Sequence, residues 1–112
     1  MPSHHAKPTE REIGAFRKDV ARWAAKIGVR PKRVQIQRMT AKWASCSTAG
    51  RLTFNSDLIR EDSGLREFVI VHELLHLLVP NHGRLFRGLL KAYLPRWNPG
   101  VEMSASSKHA KR

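Results

Sequence analysis

The sequence predicts an α+β fold in which a small antiparallel three-stranded sheet packs on a central helix, with further helices before and after it. Three observations predict this. Apolar residues recur at helical spacing in three separated stretches, near residues 10–27, 63–78 and 83–93. Between the first and second of these the pattern shifts towards alternation, the mark of strands. The middle helical stretch is apolar on almost every side, so it belongs at the centre of the core. A chain of 112 residues, 41% of them hydrophobic, suffices for one such domain and not for two.

Thr9-Glu10-Arg11-Glu12 fits a capping box, with Thr9 as the N-cap and Glu12 three residues on. Ile13, Phe16, Val20, Trp23 and Ile27 then form one apolar stripe, and Gly28 is placed to end the helix. After Pro31, Val34 and Ile36 alternate, Trp43 follows, and Leu52-Thr53-Phe54 come after a turn at Gly50. The expected strands lie near 33–39, 41–47 and 51–55, joined as an antiparallel meander. Asp62 or Ser63 can cap the central helix, which is expected to run to about Leu78 and carries Leu65, Phe68, Val69, Val71, Leu74, Leu75, Leu77 and Leu78 almost all round it. The last helix, from about Gly83 to Tyr93, is expected to bury Leu85, Phe86, Leu89, Leu90 and Tyr93 and to stop before Pro95. Residues 1–8, with two prolines and His4-His5, read as a flexible leader, residues 9–100 as the single domain, and residues 101–112 as a flexible basic tail.

Lys and Arg total 21 against 9 Asp and Glu, a formal charge of +12 that favours polyanions or acidic protein surfaces as partners. The basic residues are scattered along the chain and form no dedicated nucleic-acid arm. Cys46 is the only cysteine, so no intramolecular disulfide framework exists. The N-terminal residues lack an apolar targeting region and no apolar run reaches the length of a membrane span. A cytoplasmic protein is the expectation.

The chemistry concentrates in Val71-His72-Glu73-Leu74-Leu75-His76 and, six residues on, His82. On a helix His72 and His76 lie about 40° apart around the axis and roughly one turn along it, so both imidazoles can reach one metal ion. Glu73 projects beside them, where a carboxylate can take a proton from a metal-activated water. Pro80-Asn81 breaks the helix and lets the chain bring His82 back as a third ligand. Burying these polar residues on an apolar helix is costly without a partner, and a metal supplies one.

Three His ligands leave a position open for water, as in catalytic zinc, whereas structural zinc is usually closed by four ligands rich in Cys. One zinc per chain on His72, His76 and His82, with Glu73 as the catalytic residue, is therefore the expected site. Cys46 is the one residue available to close it, and a nucleophilic role for that thiol is a further alternative. The His76–His82 spacing equals that of the metzincin motif, but Val79 stands at its glycine position, and Met103 is a weak candidate for a Met-turn. Lys42, Arg84 and Tyr93 are candidates by residue type to stabilise an oxyanion.

Lys42-Trp43-Ala44-Ser45-Cys46-Ser47, Gly50 to Leu52, Asn55, His72-Glu73-Leu74-Leu75-His76 and Asn81-His82 with Phe86 together resemble the YgjP-like metal-dependent hydrolases, relatives of the SprT-like metallopeptidases. The resemblance spans roughly Arg38 to Trp97. It implies a minimal zincin-like fold, zinc on His72, His76 and His82, and Glu73 as general base in the cleavage of peptide bonds. Ala44 replaces the family's usual Gly, Gly83 its usual Ser after Asn-His, and Arg87 an aromatic residue after Phe86. SprT-like relatives act on proteins attached to DNA, so the resemblance and the basic charge together admit DNA-associated substrates. The alternative is a basic nucleic-acid-binding module whose zinc is structural and which hydrolyses nothing.

Overall fold

The computed structural model describes residues 7–96; most of the expected leader, the basic tail and Met103 lie outside them. Helix α1 spans Glu10–Ile27, strands β1, β2 and β3 span Arg33–Gln37, Ala44–Cys46 and Arg51–Asn55, a 3-10 turn covers Ser56–Arg60, and helices α2 and α3 span Ser63–Leu75 and Arg84–Tyr93. The α+β class and the three helices expected from the sequence are present.

The capping box forms as expected: the Glu12 amide donates to the Thr9 hydroxyl at 3.1 Å and the Thr9 amide to the Glu12 carboxylate at 2.8 Å. Gly28 takes the left-handed conformation, φ 87°, and its amide closes onto the Ala24 carbonyl. The stripe of Phe16, Val20, Trp23 and Ile27 is buried. Phe16 meets Phe54 of β3 edge-to-face with ring centroids 5.2 Å apart, which locks α1 to the sheet.

The sheet is mixed and ordered β1-β3-β2, which corrects the antiparallel meander. β3 lies in the middle, parallel to β1 in the register Val34↔Leu52 and antiparallel to β2 in the register Ser45↔Thr53. The reason lies at the end of β3. The Asn55 side chain, fully buried, donates to the carbonyls of Met39 and Lys42 at 2.9 and 2.8 Å and accepts from the Asp57 amide at 2.9 Å. Those bonds tie the β1–β2 connection across the end of β3, so β3 slots between the two earlier strands. The same Asx contact starts the 3-10 turn, an element absent from the expected list.

Asp62 caps α2 by accepting from the Leu65 amide at 2.8 Å. Seven of its residues are buried, among them Val71, Leu74 and Leu75 at 0% exposure, and each such side chain contributes about 1.5–3 kcal/mol. The helix stops at Leu75, short of the expected Leu78, and Leu78 itself, expected on the buried apolar surface, is 51% exposed because it lies beyond the helix end. The amides of His76, Leu77 and Leu78 each bond three residues back, the tighter 3-10 pattern, and Pro80 prevents any return to the α-helical ladder. In α3, Phe86 and Leu90 take the inner face. Leu85, expected in the core, is 64% exposed, because it lies a helical step of about 100° from Phe86 and falls on the outer flank.

Candidate metal centre

His72 sits in the last turn of α2, His76 is its C-cap, and His82 immediately precedes Gly83, the N-cap of α3. The unwinding of the chain over residues 76–79 therefore does structural service, carrying His82 back over the end of α2. One ring nitrogen from each of His72, His76 and His82 lies within 4.8 Å of the others. The Nε2 atoms of His76 and His82 are 2.8 Å apart, and the three ring centroids are 4.6–5.0 Å from one another.

This donor set fits zinc. Imidazole–zinc bonds of about 2.0–2.1 Å put tetrahedral ligand nitrogens roughly 3.3 Å apart, a spacing the observed cluster reaches by small side-chain rotations. Burial, then the positive charge that His72 would carry, lowers the pKa of His76, so the neutral imidazole that a metal requires is favoured. The His72 Nδ1 lies 3.2 Å from the Glu73 carboxylate. With its hydrogen on Nδ1, His72 keeps the Nε2 lone pair for a ligand.

Phe86 has a role that sequence reasoning did not assign. Its ring stacks on His76 at 4.7 Å and meets His72 and His82 edge-on at 5.2 and 4.9 Å, so one aromatic side chain touches all three imidazoles. Its spacing of four from His82, at the start of a helix, is the only local signal for this. Phe86→Leu, which retains bulk but removes the ring, is expected to weaken metal affinity by about 10-fold, within the range found for groups that orient ligands. A competition titration against a chromogenic chelator measures it.

The cluster opens into a cleft of about 1210 Å³ between α2 and β2, with Glu73, Ser45 and Cys46 among its lining residues. Cys46 lies outside the converging nitrogen group, so the structure does not bring it in as a fourth ligand. Burial, and secondly the Glu73 charge, push its thiol pKa up, against the thiolate a nucleophile needs. Of the candidate oxyanion residues, Lys42 lines the cleft, whereas Arg84 and Tyr93 do not.

A family model described as YgjP-like, metallopeptidase domain, matches residues 8–102. No curated protein matches the chain at the level of sequence. Among solved structures, the chain is similar to the metallopeptidase zymogen jannalysin of Methanocaldococcus jannaschii, with a TM-score of 0.67 and 23% identity over 80% of this chain and 91% of that one. It is also similar to the metallopeptidase zymogen abylysin of Pyrococcus abyssi, with a TM-score of 0.60 and 18% identity over 68% of this chain and 76% of that one. At these identities the two structures establish a common fold.

Proposed function

The chain belongs to the YgjP-like family of metallopeptidase domains, and from that premise we propose that it is a zinc-dependent peptidase with His72, His76 and His82 as the metal ligands and Glu73 as the general base. The observation that carries this reading is the convergence of three imidazoles beside a carboxylate, at the wall of an open cleft. Zinc, when bound, supplies Lewis-acid activation of a water molecule and of the scissile carbonyl. Glu73 accepts the proton of the attacking water and returns it to the departing amine. His72 is oriented by its contact with Glu73, and Phe86 holds all three rings in place.

β2 is an edge strand of the sheet and lines the cleft opposite α2. An extended peptide adds to it through main-chain hydrogen bonds, which bring successive peptide bonds past Glu73. Residues 9–100 form the single catalytic domain in this reading. None of the described helices is long and apolar enough to cross a membrane.

The test uses casein, an unstructured protein. Zinc-loaded protein is expected to cleave it, a chelator to stop cleavage, and stoichiometric zinc to restore it; failure to cleave in the zinc-loaded state counts against the proposal. The formal charge of +12 favours a setting on DNA, where substrate proteins are themselves DNA-bound. A salt-dependent gel shift with duplex and single-stranded DNA tests it, and no shift at low salt would remove it.

A further inference from the structure

We propose that the cleft selects peptides with acidic side chains flanking the scissile bond, an inference that rests on the peptidase reading above. The charge of the cleft lining is uneven. Arg30 and Lys32 from the α1–β1 connection, Lys42 from the approach to β2, and Arg87 from α3 all contribute to it, and among the described residues Glu73 is its one carboxylate. Glu73 is occupied with His72 and with catalysis. None of the four cations is ion-paired to a carboxylate among the described residues.

The placement matters as much as the count. The four come from three separate parts of the chain, so positive charge reaches the cleft from several walls. Lys32 is anchored there: its amide donates to the Gly50 carbonyl at 2.8 Å, and its side-chain stem runs over Gly50. The same lining holds the apolar Trp43, Leu77 and Leu78, the last 51% exposed. A lining that holds both cations and apolar side chains suits a polypeptide with mixed side chains; a phosphodiester backbone calls for a continuous basic track. In an open cleft such charges act over about one Debye length, roughly 8 Å at physiological salt.

The experiment starts from a casein bond located by mass spectrometry, with a peptide spanning it made in three versions whose flanking residues are Glu, Gln or Lys. At low salt the zinc-loaded protein is expected to show kcat/KM about tenfold higher for the Glu version than for the Gln version, with Lys lowest, and the differences shrink as salt screens the cleft. Combined reversal of three cations (Arg30→Glu, Lys32→Glu, Arg87→Glu) is expected to invert the order in favour of the Lys peptide, an outcome that damage to the fold does not produce. Equal kcat/KM for the Glu and Gln versions would overturn the inference and leave the peptidase reading intact. Absence of casein cleavage would overturn both. Stronger inhibition by an oligothymidylate than by the Glu peptide would assign the cations to nucleic acid and overturn the inference as well.

Discussion

Replacing Glu73 by Gln is expected to slow peptide cleavage by about 10²–10⁴-fold while leaving metal content and thermal unfolding unchanged. Gln has the same length and keeps an oxygen that can accept from the His72 Nδ1, now 3.2 Å from the carboxylate. What it loses is the capacity to hold a proton between water and leaving amine. The Glu73 side chain is 13% exposed, and no other carboxylate among the described residues lines the cleft to replace it. A zinc with a purely structural role makes no demand on this carboxylate. Retained metal with lost cleavage therefore separates the peptidase from a nucleic-acid-binding module, and unchanged cleavage would remove Glu73 from the mechanism.

Asn55→Ala is expected to be among the most destabilising single changes in the domain, by about 3 kcal/mol, because it removes a fully buried side-chain amide together with its hydrogen bonds to the Met39 and Lys42 carbonyls and from the Asp57 amide. For a domain of this size that lowers Tm by roughly 12–24 °C. Asn55→Asp is expected to be worse than its similar shape suggests. Its carboxylate still accepts from Asp57 but faces two carbonyl oxygens with no hydrogen to donate, and it is fully buried. Thermal unfolding of the two variants checks this. A loss of only a few degrees in both would show that the β1–β2 connection is held by something other than Asn55.

The parts of the fold that were legible in the sequence are those whose causes are local. Thr9 with Glu12, Gly28 and Asp62 each satisfy backbone groups within four residues, and each performs the expected role. The candidate site was legible for the same reason: His72, Glu73, His76 and His82 lie within one short segment, and Pro80 announces the turn between them. Strand order was not legible. Alternation tells which face a residue takes but not which strand lies beside it, and β2 is only three residues long. The order depends on contacts from Asn55 to residues 13 and 16 positions earlier, which no local pattern encodes. Phe86 was readable as a core residue by its spacing, yet its three imidazole contacts exist only once α3 folds back on α2. Leu85 shows the converse error, an apolar residue at the edge of a helical stripe that the short α3 leaves on its outer flank.

The central claim is that His72, His76 and His82 form one metal-binding unit that the enzyme needs for peptide cleavage. Elemental analysis of zinc-loaded protein after gel filtration, for wild type and for His82→Ala, tests it most directly. The account predicts about one zinc per chain in the wild type and a loss of most bound zinc in the variant, since removing one of three ligands leaves two imidazoles to hold the ion. No retained zinc in the wild type, or undiminished zinc in His82→Ala, would contradict it.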